Sequence, residues 1–207
     1  MYKAYLSGKL IKEAGKEFRT MVNPHPNYLR GKNLAAFKKL AEVYDIFELY
    51  RPALGKEQLA AAKSVNREIW TYGIYGKTTS PEVYRREYWQ SLRDGFSSMI
   101  SYWHLESHAG SDGFNSEDGI KNRADYGSIF ADFDMDTFLT SRREEAHALG
   151  LEDFKLATFC RNALKKKPDA VMQKKLDSII NKGANSDMEG MEECRRQLLD
   201  LAEKLSK

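Results

Sequence analysis

The chain has 207 residues, of which 42% are hydrophobic and 30% are charged, so it is long enough to bury a core and is not expected to be disordered. No stretch approaches the roughly 20 apolar residues that a membrane span requires, and no membrane partner is expected. The chain has only two cysteines, which excludes a disulfide framework and a four-thiolate zinc site and predicts a cytoplasmic location.

Charge is distributed unevenly along the chain. Residues 1–40 contain nine Lys or Arg against two Glu, a net charge of +7, although the whole chain carries only +3. Residues 101–150 contain four Lys or Arg against ten Asp or Glu, a net charge of −6. A basic end attracts phosphates, whereas an acidic middle repels them, holds a metal or meets a basic partner.

Apolar residues recur with a helical period along most of the chain. This pattern predicts helices over 33–50, 56–72, 80–108, 151–166, 168–182 and 188–206. The first residues show no clean apolar face, and the Gly-, Asn- and Asp-rich run that follows residue 108 predicts a loop. The predicted division is a basic N-terminal segment (1–29), a helical subdomain (30–108), a loop (109–125) and a second helical subdomain (126–207) packed with the first.

So high a helix content favours an all-α fold over a mixed one. The expectation is a single multi-helix domain or bundle of about six to seven helices, with or without a small irregular N-terminal part. The last predicted helix, 188–206, carries an apolar seam at heptad-like spacing. Such a face usually packs on the protein's own core, and the less frequent alternative is a homodimer contact.

Basic and aromatic side chains are interleaved near the N-terminus. Cations neutralise phosphate charge and aromatic rings stack on unpaired bases, so this pattern points to a nucleic acid or to a protein that handles nucleic acid. The predicted contact residues are Tyr28, Arg30, Lys32, Lys38 and Lys39. On this interpretation the protein is a non-enzymatic binding or regulatory protein that needs no cofactor.

Two alternatives come from the acidic middle of the chain. In the first, the region from Asp112 to Glu145 is itself the contact surface, and the protein is an inhibitor or adaptor for a basic partner. In the second, a histidine and glutamate cluster holds a metal that activates a water molecule. His104 and His108 have the i, i+4 spacing of helical metal ligands, and the remaining members of that cluster are Glu106, Glu144 and His147.

Overall fold

The computed structural model describes residues 2–15, 17–73, 75, 79–96, 98–99, 129–132 and 137–206. The chain divides into two compact units. The first unit contains Met1–Gly73 and Phe96–Ile100, and the second contains Ile74–Gly95 and Ser101–Lys207.

The first unit is built around a parallel sheet. Its four strands lie in the order β1-β2-β3-β4, and each pair of neighbours is parallel. The elements in chain order are α1 (Tyr2–Ala14), β1 (Met21–Val22), α2 (Leu34–Leu40), β2 (Ile46–Tyr50), α3 (Lys56–Lys63), β3 (Glu68–Tyr72) and β4 (Ser98–Met99). Short 3-10 turns cover Pro26–Leu29, Gly31–Asn33 and Arg51–Ala53.

The prediction of an all-α fold is wrong, because this sheet makes the protein a mixed α/β protein. The helix predicted over 33–50 ends at Leu40 and is followed by β2, and the helix predicted over 56–72 ends at Lys63 and is followed by β3. A short apolar run that follows a helix can continue its period by chance, so periodicity alone does not separate a strand from another turn of helix. Asn66, with φ of 48°, breaks the second of these runs in the left-handed region that asparagine tolerates.

Both crossover helices of the first unit pack on the same face of the sheet. Phe47 and Leu49 of β2 and Ile69 of β3 share one buried cluster with α2 and α3 side chains, namely Phe37, Leu40, Ala61 and Ala62. Successive side chains of a strand point to opposite faces. The opposite face of the sheet therefore carries Glu48 and Tyr50 from β2 and Trp70 and Tyr72 from β3.

The second unit contains four helices and a hairpin among its described residues. The helices are α4 (Pro81–Asp94), α5 (Arg142–Lys166), α6 (Ala170–Gly183) and α7 (Met188–Leu205), and the antiparallel hairpin pairs β5 (Ile129–Asp132) with β6 (Thr137–Thr140). The three helices predicted for the C-terminal third are confirmed. The helix predicted over 80–108 ends at Asp94, where Gly95 adopts a left-handed φ of 78° that favours glycine.

The second unit has its own buried apolar core. The seam of α7 is buried in this core with residues of α4, α5 and α6, and its members are Met191, Cys194, Leu198 and Leu201. Both cysteines are buried free thiols, and burial raises the pKa of Cys160 to about 11. In the described part of the chain, no helix is long and apolar enough to cross a membrane.

Candidate functional site

In α/β folds, ligands bind outside the carboxyl ends of the parallel strands. In the first unit, Asn23 directly follows β1, Tyr50 is the last residue of β2 and Tyr72 is the last residue of β3. These three strands are adjacent and parallel, and Tyr50 is paired in register with Tyr72. The three side chains therefore come from the same edge of the sheet.

Hydrogen bonds and a ring contact link these residues to Glu48. Asn23 donates from Nδ2 to Oε2 of Glu48 at 3.1 Å, and the Tyr72 hydroxyl donates to Oδ1 of Asn23 at 3.4 Å. The rings of Tyr50 and Tyr72 lie with their centroids 5.4 Å apart and tilted by 45°. We call Asn23, Glu48, Tyr50 and Tyr72 the edge cluster.

Glu48 is the carboxylic acid of the edge cluster, and it is buried. It is only 7% exposed although it carries a carboxyl group. Burial raises the pKa of Glu48, and the hydrogen bond from the Asn23 amide opposes this only in part. Glu48 forms no ion pair with any described residue. A buried carboxyl with a raised pKa is suited to proton exchange or to donation of a hydrogen bond.

Trp70 lies between Glu68 and Tyr72 on the same face of β3 and is paired in register with Glu48. The Trp70 indole donates from Nε1 to Oε1 of Glu68 at 2.7 Å, and Arg19 forms an ion pair with the same glutamate. Arg51 follows β2 directly and is 7% exposed. The Trp70 residue is therefore the neighbour of Glu48 across the strand pair, whereas the Arg19–Glu68 ion pair lies at the amino end of β3 and is partly exposed.

The basic residues predicted from the sequence lie on neighbouring elements of the first unit. Tyr28 lies in the turn Pro26–Leu29 and packs in part against the core, Arg30 is exposed, and Lys32 lies in the turn Gly31–Asn33. Lys38 and Lys39 occupy the last turn of α2, and both are exposed. These elements contact one another, so the structure brings together the segments that carry these residues. We call Tyr28, Arg30, Lys32, Lys38 and Lys39 the basic set.

Much of the positive charge near the N-terminus is compensated locally. Lys39 lies 2.5 Å from Oε2 of Glu42, whose hydrogen bond raises the pKa of Lys39, and its ammonium is 5.2 Å from the centroid of the Tyr5 ring. Further pairs are Lys9 with Glu13, Lys12 with Asp45 and Arg19 with Glu68. Arg30 and Lys38 form no ion pair with another described residue.

The predicted metal cluster falls only in part on described residues. His104, Glu106 and His108 lie outside them, whereas Glu144 and His147 lie on α5. The Tyr88 hydroxyl lies 3.1 Å from each ring nitrogen of His147. Burial, followed by the charges of Glu144 and Glu87, raises the pKa of Tyr88. Among the described residues, no group of three or more His, Cys, Asp or Glu could hold a metal ion.

Most of the acidic middle also falls outside the described residues, which cover 129–132 and 137–145 of the region from Asp112 to Glu145. The structure therefore gives this proposed contact surface no geometry. The interpretation of the region as an adaptor surface stays a prediction.

The sequence does not reveal the edge cluster, because the apolar period places Glu48, Tyr50 and Tyr72 in predicted helices and Asn23 in the segment that precedes them. One signal was present: Glu48 interrupts the apolar run Ile46–Tyr50, where a carboxyl group is unexpected in a buried segment. No protein-family model matches the chain, and no curated protein is detectably similar to it in sequence.

Proposed function

We propose that the first unit binds a small polyhydroxylated ring compound, of the sugar class, at the edge cluster. The observation that supports this most strongly is a buried carboxyl group, Glu48, linked by Asn23 to a tyrosine at the carboxyl edge of a parallel sheet. This is the place where α/β proteins hold small ligands.

The chemistry of the cluster fits such a ligand. Sugar hydroxyls both donate and accept hydrogen bonds, and Glu48, Asn23 and the Tyr72 hydroxyl offer both kinds of partner. The C–H faces of a sugar ring are apolar and pack against aromatic rings, which Tyr50 and Tyr72 supply. Pockets of this kind combine aromatic walls with a few polar groups that fix orientation.

The test is a titration of the full chain with methyl glycosides of glucose, galactose and xylose and with cellobiose and maltose. Binding is followed by calorimetry and by the tryptophan fluorescence of the chain, to which Trp70 on the same face of the sheet contributes. We expect saturable binding to at least one of these sugars. Asn23→Ala should weaken it about fivefold, since a hydrogen bond contributes about 1 kcal/mol.

The matched control is Asn27→Ala, at another exposed asparagine of the same segment whose side chain is not part of the edge cluster. Its affinity for sugar should equal that of the parent protein. The proposal fails if no sugar in the panel binds, or if Asn23→Ala and Asn27→Ala bind equally well.

A second candidate function is contact with a polyanion such as single-stranded nucleic acid through the basic set. It is favoured by one observation: Arg30 and Lys38 are exposed and form no ion pair with another described residue. Such cations are available to displace counterions from phosphates, whereas Lys39 is already paired with Glu42.

The test is the binding of a labelled single-stranded oligonucleotide at several salt concentrations. We expect affinity to fall steeply with salt, and the double variant Arg30→Glu, Lys38→Glu to bind at least tenfold more weakly. Lys174→Glu, at an exposed lysine of the second unit, is the charge-matched control for one of these reversals. Binding that is absent, or that is insensitive to salt, would remove this candidate.

A further inference from the structure

Exposed apolar side chains are concentrated at the start of the chain. Six of the ten large hydrophobic side chains that are exposed among the described residues fall within residues 2–21. They are Tyr2 (74% exposed), Leu6 (38%), Leu10 (65%), Ile11 (43%), Phe18 (54%) and Met21 (48%). Single exposed hydrophobic residues are ordinary, but a contiguous group marks a surface that another molecule covers.

Three of these side chains form a stripe along α1. Tyr2, Leu6 and Leu10 are separated by four residues each, a spacing that places them on one side of a helix. A different side of α1 holds the helix to the first unit. A Cβ atom at Gly8 would lie 2.8 Å from Cγ2 of Val43, and the Tyr44 hydroxyl donates to the carbonyl of Ala4 at 2.8 Å.

The stripe adjoins a groove between α1 and α2. A cavity of about 250 Å³ is lined by Tyr2 and Tyr5 of α1 and by Ala36, Lys39 and Leu40 of α2. Tyr2 belongs to both the stripe and the groove wall. A helix laid along α1 would therefore bury the stripe and place a side chain in the groove.

The charged residues beside the stripe indicate the sign of the charge that a partner would carry. Lys3 and Lys9 flank it, and both are exposed. Lys9 lies 3.6 Å from Glu13, and Lys3 forms no ion pair with a described residue. Lys3, Lys9 and Glu13 together give this surface a net charge of +1, so a second copy of the chain would bring two net positive surfaces together, which is unfavourable. An acidic partner would meet complementary charge.

We propose that the stripe on α1 and the adjoining groove dock an acidic amphipathic helix of a partner protein. The apolar face of that helix would cover Tyr2, Leu6 and Leu10. Its flanking carboxylates would face Lys3 and Lys9. This surface is distinct from the edge cluster, so the proposal does not depend on sugar binding.

The test uses three labelled synthetic helices of 18 residues and the full chain, with fluorescence anisotropy as the readout. The first peptide has leucines at i, i+4 spacing flanked by glutamates, the second has lysines in place of the glutamates, and the third has glutamines in place of the leucines. We expect the first to bind at least tenfold more tightly than the other two.

Protein variants distinguish binding at the stripe from non-specific hydrophobic binding. The double variant Leu6→Ser, Leu10→Ser should weaken binding of the first peptide at least tenfold without lowering the melting temperature, because both side chains are exposed. The double variant Val171→Ser, Leu199→Ser changes two exposed hydrophobic residues of the second unit and should bind as the parent does.

Four results would overturn the proposal. One is equal binding of the glutamate and lysine peptides, and another is binding of the glutamate peptide that the Leu6→Ser, Leu10→Ser variant retains. The third is no binding of the glutamate peptide. The fourth is a concentration-dependent dimer in sedimentation that only this double variant abolishes, which would assign the surface to a second copy of the chain.

Discussion

Arg85 of α4 and Asp153 of α5 form an ion pair whose side chains are 1% and 0% exposed. The Arg85 guanidinium donates from Nε to Oδ2 of Asp153 at 2.7 Å. The same carboxylate accepts from Nε1 of Trp89 at 2.9 Å and from Nη1 of Arg195 at 2.9 Å. One carboxylate therefore joins three of the four helices that the structure describes in the second unit, namely α4, α5 and α7.

Removing this carboxylate should strongly destabilise the second unit. Asp153→Ala leaves the Arg85 guanidinium buried without its main partner, and the expected loss is about 3–5 kcal/mol of the free energy of unfolding. The measurement is urea denaturation followed by circular dichroism. Glu152→Ala, which removes only the exposed partner of Arg195, should cost less than about 1 kcal/mol. Equal losses in the two variants would contradict the assignment.

Gly183 allows α6 to approach the indole ring of Trp89. A Cβ atom at this position would overlap the ring, and Trp89 is itself 0% exposed and has no free space to move into. Gly183→Ala should therefore lower the free energy of unfolding by about 1–3 kcal/mol, despite the helix propensity of alanine. Asn181→Ala, at an exposed position of the same helix, should change it by less than about 0.5 kcal/mol. A stabilised Gly183→Ala variant would show that the contact is looser than described.

Local sequence signals were sufficient to predict three helices in the C-terminal third, although α5 begins at Arg142 and not at 151, and the helix predicted over 80–108 ends at Asp94. Ser141, Asp169 and Asp187 each cap a helix with a side-chain oxygen, and the apolar period runs unbroken through α7. These signals act within one turn of helix and are readable from a single sequence.

The sheet and the edge cluster depend on contacts between distant residues, which explains why the sequence did not reveal them. Strand β2 is stabilised by its pairing with β1 and β3, and Glu48 meets Asn23 across 25 positions of the chain. The sequence also did not show that several basic side chains near the N-terminus form ion pairs. Lys12 is paired with Asp45, and Arg19 with Glu68, across long separations.

Asp45 should make the first unit more stable at neutral pH than in acid. Burial opposes its ionisation, but the hydrogen bond from Lys12 Nζ at 2.6 Å and those from Thr20 outweigh this and lower the pKa of Asp45. A carboxyl with a lowered pKa stabilises the folded state above its ordinary pKa of about 3.8, and that stability is lost as pH falls through the folded-state pKa.

The variant Asp45→Asn removes the charge on this carboxyl. At pH 7 it should cost about 1–2 kcal/mol of the free energy of unfolding, since hydrogen bonds to charged groups are stronger than neutral ones. The gap to the parent should shrink as pH falls below about 4. Urea denaturation at pH 7, 5 and 3.5 measures the gap, and a gap that is constant with pH would contradict the role of the charge.

Glu48 should have the opposite effect on stability, because burial raises its pKa. Below its ordinary pKa of 4.5 the carboxyl is protonated in both the folded and the unfolded chain. Its burial then desolvates no charge and does not destabilise the fold. As pH rises above that value the unfolded chain loses the proton first, so the free energy of unfolding falls progressively. The decrease is complete once pH exceeds the raised folded-state pKa.

Glu48→Gln removes this decrease while keeping an oxygen to accept the hydrogen bond from Asn23. The variant should therefore melt at a higher temperature than the parent at pH 7, and the difference should disappear as pH is lowered toward 4. Glu17→Gln, at an exposed glutamate of the same unit, controls for the loss of one negative charge. If Glu48→Gln melts at a lower temperature than the parent at pH 7, the ionised carboxylate stabilises the fold, and Glu48 is held as an anion by its surroundings.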